Sequence, residues 1–346
     1  MRKINFVKLF LSLMIFNLFF SCASTKSINA SGVPEWILSP SSVYDDSKYL
    51  SAVGYGEDRA SAELSAIAAI TKVIKQQVNS ETVSNENFTS VEGNWTTGRD
   101  VTSSVQTQSD LVISGIYIQD VYPVKKGKTL EYYALALINR EETGNLYKSK
   151  IAELTPVIDN MIVEAYKNMG SFSSYGILTQ AAQLAAECDL FLDMLAVINP
   201  TYYKMSIPDY GNAATVEELA RRCLSQIVIG FDIKGDIDGR VAAAFSKIFS
   251  EYGIKLASIE DEDATYTLVA DVSFSPLQMS GETKNKYIRF VVNANLTELK
   301  TDKIVLPFAI SGREAHLSEE EATQRAVRTI ENEIRKQFQS KVYSLF

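Results

Sequence analysis

Tyr49-Leu-Ser-Ala-Val-Gly-Tyr-Gly56, followed almost at once by Arg59-Ala-Ser-Ala-Glu63, decides the fold. The first block is short, apolar and ends on two glycines. It reads as a strand over residues 49–54 with a turn at Tyr55-Gly56, and Asp58 suits a helix N-cap. From residue 59 to 78 the pattern becomes helical. Ala60, Leu64, Ile67, Thr71, Ile74 and Val78 fall on one face at alternating four and three spacing, which predicts the buried stripe. Ala62, Ala66 and Ala69 form a second strip, small enough for close approach to a sheet. A strand running straight into such a helix points to an α+β domain.

Moving outward, residues 80–110 are polar, with twelve Ser or Thr punctuated by Val83, Val91, Trp95, Val101 and Val105. Thr and Val favour strands and Glu92-Gly-Asn94 supplies a turn, so the segment reads as two long solvated strands. A structureless loop is the competing reading. Residues 111–122 and 129–138 read as a hairpin about Lys126-Gly-Lys128, giving β-α-β-β-β over residues 33–140. Residues 141–199 carry two apolar seams, Tyr147/Ile151/Leu154/Ile158/Met161/Ala165 and Ile177/Ala181/Leu184/Cys188/Phe191/Leu195/Ile198, joined by a turn at 170–176. They predict an antiparallel helical hairpin, with a kink or restart at Thr155-Pro156. Residues 200–225 are a linker and short helix. Residues 226–346 return to strands and helices and end in a helix from Ser318, whose capping box pairs Ser318 with Glu321. The expected architecture is α+β, with two antiparallel sheet-plus-helix domains separated by the helical hairpin.

The N-terminus has its own logic. Arg2, Lys3 and Lys8 precede an apolar run over residues 9–20, broken only by Ser12 and Asn17, and then come Ser21 and Cys22. A positive segment, a short apolar segment and a small residue before the cut make a secretory signal. The run is too short for a comfortable bilayer span. Leu18-Phe-Phe-Ser-Cys22 resembles the lipobox of bacterial lipoproteins, in a form with bulky residues before the small one. That resemblance implies a diacylglycerol thioether and an acyl chain such as palmitate on Cys22. Several chains together hold far more firmly than one. Residues 22–32 read as a polar tether. Ala23, not an acidic residue, follows the cysteine, which in lipoproteins of the familiar type implies the outer membrane, facing periplasm or cell surface.

Removing residues 1–21 leaves 325 residues and takes away three of the 34 basic ones. Thirty-one bases then face 42 acids, and the net charge moves from −8 to −11. Such a chain is a poor nucleic-acid partner. One histidine excludes two-His zinc sites and HExxH chemistry.

No catalytic or metal site and no cofactor is expected, and each candidate has a structural reading beside it. Gly54-Tyr-Gly56 lacks the third glycine of a dinucleotide loop. Residues 232–239 place Lys234 and Phe245 where an EF-hand needs acids. Glu260-Asp-Glu-Asp263 reads as a solvated turn, with weak divalent-cation binding as the alternative. Arg313, Glu314 and His316 would be the residues of a hydrolase, without a nucleophile to match, and a hydrogen-bonded loop histidine is the simpler reading. Cys188 and Cys223 read as small buried hydrophobes, with a disulfide between them left open.

Pro34-Glu-Trp36, Tyr49 to Gly56, and Arg59-Ala-Ser-Ala-Glu63, with the strand from Tyr132-Tyr133 to Arg140, resemble the Lpp-twenty family of small bacterial lipoproteins. The resemblance covers residues 33–140. It implies a β-α-β-β-β domain akin to the N-terminal domain of flagellar assembly protein T, exported and membrane-anchored, with no activity. The expectation is a non-enzymatic structural or assembly module that binds envelope protein partners. Trp95 is the contact residue singled out, because aromatic anchors dominate interface energetics. A binding protein for a small ligand or cell-wall glycan is the alternative. A deep polar cleft would favour the latter, and an apolar patch or open strand edge the former.

Overall fold

Strand β1 (Tyr49–Gly56) runs through both glycines instead of turning at Tyr55 in the computed structural model, which describes residues 32–89, 113–259, 262–278 and 284–346. Gly54 and Gly56 face helix α1 (Arg59–Thr89), and the helix backbone occupies the space a side chain would need. A Cβ on Gly54 would stand 2.0 Å from the Ala66 nitrogen, and one on Gly56 would stand 2.6 Å from that of Ala62. Only small residues fit at so close a contact. Ala62, Ala66, Ile70 and Ile74 are therefore the buried stripe. The expected alanine strip makes the sheet contact through Ala62 and Ala66, but of the expected main stripe only Ile74 is buried: Leu64 is 68% exposed and Ile67 37%. The Asp58 carboxylate accepts the Ser61 N–H at 2.8 Å and starts the helix as expected.

Helix α1 also continues to Thr89, so the polar hairpin does not open at residue 80. Once some twenty residues are helical, each added residue gains a hydrogen bond without a new nucleus, which outweighs weak local propensity. The remainder of that hairpin, Trp95 included, lies outside the described residues. So do the signal segment, Cys22 and the tether up to residue 31.

Strands β2 (Ile116–Lys126) and β3 (Thr129–Asn139) complete an antiparallel sheet in the order β1-β3-β2. Gly127, with φ of 62°, makes their turn. The centre strand is apolar at every position from Ala134 to Ile138 because both faces are covered. Ala134, Ala136 and Ile138 pair with Gly54, Ala52 and Leu50 on the α1 side. Leu135 and Leu137 pack under Trp36, in the 3-10 turn Glu35–Ile37. The Trp36 indole donates to Asp120 at 3.3 Å, beside a β-bulge in β2. The described elements of this part are β-α-β-β.

Helix α2 (Arg140–Tyr166) runs unbroken through Pro156, without the expected restart. The Thr155 hydroxyl donates to the Ile151 carbonyl at 2.8 Å, and the apolar seam continues on both sides. After a turn at Gly170 (φ 83°), α3 (Phe172–Ile198) returns antiparallel. Tyr147 meets Phe191 at one end, with ring centroids 5.9 Å apart, and Ala165 meets Leu178 at the other. Short helices α4 (Pro200–Ser206) and α5 (Ala213–Ser225) follow, and α5 is capped by Asn212.

The last segment holds β4 (Val228–Lys234), α6 (Arg240–Glu251), β5 (Lys255–Ser258), β6 (Tyr266–Leu277), β7 (Lys286–Glu298) and β8 (Lys303–His316). The C-terminal helix α7 (Glu319–Glu333) passes through a π turn, Ile334–Phe338, into α8 (Gln339–Tyr343). The strand order is β5-β4-β6-β7-β8. The α+β class holds, but this sheet is mixed, not antiparallel. Strands β5 and β6 both pair parallel to β4, and the helix between β4 and β5 returns the chain to start β5 in the same direction. Helices α6 and α7 cover one face. There Phe338 packs edge-on against Phe245, Phe249 and Phe308. The opposite face of β6–β8 is polar and exposed: Asp271, Ser273, Ser275, Arg289, Asn293, Asn295, Ser311 and Arg313. That alternation is what a sheet covered on one side requires.

The chain divides into two compact units, Met1–Leu146 with Ala196–Pro200, and Tyr147–Leu195 with Thr201–Phe346. In the first, Arg140 donates from Nε to the Asp46 carbonyl and from Nη1 to the carbonyls of Val197 and Ile198 at 2.8 and 2.9 Å, capping the end of α3. In the second, the Phe172 N–H donates to the Tyr266 hydroxyl at 3.1 Å, and that hydroxyl donates to Glu298 at 3.2 Å. Asn168 also donates to Glu298. This network ties the hairpin turn to the sheet.

Candidate functional sites

The glycine pair of β1 is a packing device, as its contacts with α1 show, and not a phosphate loop. The 232–239 segment is a helix start. Both Asp236 oxygens are used, accepting the N–H groups of Val241 and Ala242 at 2.9 Å each. Asp238 and Gly239 adopt left-handed backbone there, with φ of 56° and 68°. Arg240 is bound by Glu331 through two hydrogen bonds and by Gln324 through a third. Glu260 and Asp261 of the acidic run lie outside the described residues. Among the described residues, no three of His, Cys, Asp and Glu converge as metal ligands would.

Arg313, Glu314 and His316 are strand residues, not loop residues, because β8 runs on to His316 opposite Lys286. Successive side chains on a strand point to opposite faces. Arg313 is therefore separated from Glu314 and His316 by the sheet itself. The Glu314 carboxylate accepts the Thr329 hydroxyl at 2.8 Å, and His316 Nδ1 accepts the Ser318 N–H at 3.5 Å. The triad is not assembled, and Glu314 and His316 each have a structural use.

Cys188 and Cys223 are both buried free thiols. Cys223 donates to the Ser171 carbonyl at 3.7 Å, and burial pushes both thiols up from their ordinary values. Each sits in its own packed surroundings, and the alternative of a disulfide between them is not realised. Beside Cys188, the Asp189 carboxylate accepts the Ala213 N–H at 2.8 Å, and burial raises its pKa.

Two surface features were not legible as sites in the sequence. One is the outward apolar face of α1, with Leu64 and Ile67, which the periodicity assigned to the core. The other is a basic patch on an acidic chain. Lys284-Asn-Lys-Tyr-Ile-Arg289 holds three bases in six residues, and the β7–β8 register sets Arg313 directly opposite Arg289. The local run was visible in the sequence, but the pairing that completes the patch comes from register alone.

No helix among the described residues is long and apolar enough to cross a membrane. No protein-family model matches the chain, and no curated protein matches it. Solved structures similar to it include bacterial lipoproteins and secreted proteins. A secreted protein of Helicobacter pylori is 14% identical, with 83% of this chain and 95% of that one covered and a TM-score of 0.35. A minor lipoprotein of Acinetobacter baumannii is 14% identical over 33% of this chain and 93% of its own, with a TM-score of 0.27. Rare lipoprotein B of Shewanella oneidensis is 13% identical over 34% and 91%, with a TM-score of 0.24. Likenesses of this degree transfer no function.

Proposed function

We propose that this chain is a bacterial envelope lipoprotein, held to the outer membrane by acyl chains on Cys22, that acts as a non-enzymatic assembly module binding protein partners. The signal ending at Ser21-Cys22 supports the anchor. The observation that carries partner binding is the two-faced helix α1. Its alanine face is spent on the sheet, while Leu64 and Ile67 remain exposed on the other side. Large apolar side chains held outward on a packed helix suit a protein contact. The Lpp-twenty likeness of residues 33–140 agrees with this reading, and Trp95 remains a proposed contact of the same module.

The test is crosslinking in intact cells followed by pulldown. Wild type is compared with Leu64→Ser/Ile67→Ser, with Trp95→Ala, and with a chain in which residues 85–104 are replaced by a short Gly-Ser turn. Loss of a specific crosslinked protein in the α1 variant, with circular dichroism unchanged, supports the reading. An unchanged crosslinking pattern in all three removes it.

A further inference from the structure

We propose that the open face of the second sheet carries an anion site, with Arg289 and Arg313 as its two forks, that takes the phosphate of an anionic phospholipid headgroup. The register places the two arginines directly across β7 and β8, with Ser275 of β6 completing the row. Residues so paired have Cβ atoms about 5 Å apart, and like charges in that position destabilise a sheet. Both are exposed, and among the described residues neither side chain makes an ion pair or a hydrogen bond. Among the described residues, the Arg289–Arg313 pair therefore has a cost and no side-chain partner.

Its surroundings suit one kind of ligand. Ser273 and Ser311 add hydroxyls in the next row, and half-buried Tyr287 flanks the pair on the other side. Lys284 stands exposed just ahead of β7, whereas Lys286 alternates to the other face, opposite His316. On this face the closest described carboxylate, Asp271, is two rows along, about 13 Å at strand spacing. Glu314 points to the covered face and is engaged by Thr329. Guanidinium forks match phosphate oxygens bidentately, and two forks facing each other can hold one tetrahedral anion from both sides. The lipid source rests on the anchored reading above. A tether of residues 22–31 reaches at most about 35 Å, so residue 32, where the described chain begins, stays within that distance of a lipid surface. An acidic chain is repelled there as a whole, so attraction has to be local, and the basic row supplies it.

The test uses the chain from residue 23 onward, without lipid, which keeps every described residue of both units. Co-sedimentation is measured with neutral phosphatidylcholine vesicles and with vesicles containing phosphatidylglycerol. The expected result is binding to the anionic vesicles only, weakened by salt and lowered about fivefold by either Arg289→Gln or Arg313→Gln. Arg221→Gln, which removes the same charge from α5, should leave binding unchanged. Equal binding to both vesicle types overturns the proposal, as does equal loss in the Arg221 variant. Inorganic phosphate is titrated in parallel, with the arginine Nε resonances as readout. Shifts there without vesicle binding would mean a free-phosphate site and overturn the lipid assignment. Because the protein tested carries no acyl chain, failure here leaves the Cys22 anchor untouched.

Discussion

Gly54→Ala is the most revealing single change in the first unit. A methyl group there would lie 2.0 Å from the Ala66 nitrogen, 2.5 Å from the Ser65 carbonyl carbon and 2.6 Å from the Ala66 Cα, where an ordinary contact begins at 3.4 Å. Helix α1 would have to withdraw by roughly 1.4 Å along its whole contact with the sheet, loosening Ala62, Ala66, Ile70 and Ile74 together. Alanine would otherwise help a strand by about 0.5–1 kcal/mol, so the sign of the effect is diagnostic. Overpacking against main chain belongs at the upper end of its usual range, about 3 kcal/mol, out of a total stability on the order of 5–15 kcal/mol. Adding Ala66→Gly should not restore stability, because the obstacle is backbone. Gly127→Ala, at a left-handed turn with open space around it, should cost only about 1–2 kcal/mol. Urea unfolding followed by circular dichroism reads all three as midpoint shifts at constant slope. A Gly54→Ala midpoint within about 0.5 kcal/mol of wild type, or rescue by Ala66→Gly, would refute the packing argument.

Other consequences are equally open to measurement. Tyr266→Phe removes the acceptor for the Phe172 N–H and a donor to Glu298, and should cost about 1–3 kcal/mol in the same unfolding assay; no change would mean the network carries no weight. Burial raises the Asp189 pKa above its ordinary 3.8, so the folded state holds this proton more tightly than the unfolded one. Stability should therefore decline as pH rises from about 4 through the raised value, and Asp189→Asn, which keeps an oxygen for Ala213, should flatten that decline in thermal melts across pH. Both described cysteines should react with a thiol reagent only after unfolding, and a disulfide-linked peptide in a non-reducing digest would contradict the free, buried thiols.

How far the fold was legible in the residues varies by element. The N-cap at Ser318 and the β2–β3 hairpin were read directly, since each is fixed by local chemistry, while the reciprocal half of the capping box is replaced by His316, which accepts the Ser318 N–H. The alanine strip of α1 was read as able to approach a sheet, but Leu64 and Ile67 were assigned to the core because two apolar stripes compete on that helix. The choice between them is made by two glycines across the contact, a tertiary fact that periodicity does not encode. The parallel pairing of β4 with β5 and β6 has the same character: strand signals mark where strands lie, not the direction of their neighbours. Arg313 was grouped with Glu314 and His316 by sequence adjacency, and a strand separates what adjacency joins. The arginine pair was missed because its halves are 24 residues apart and meet only through register.

The central claim, that the chain is an anchored lipoprotein, meets its most direct test in mass spectrometry of the N-terminal peptide from protein extracted with the membrane fraction of its native cell. The account predicts a peptide that begins at Cys22 and carries a thioether-linked diacylglycerol and an amide-linked acyl chain. An N-terminal peptide beginning at Met1, or one in which Cys22 bears no lipid, would contradict it.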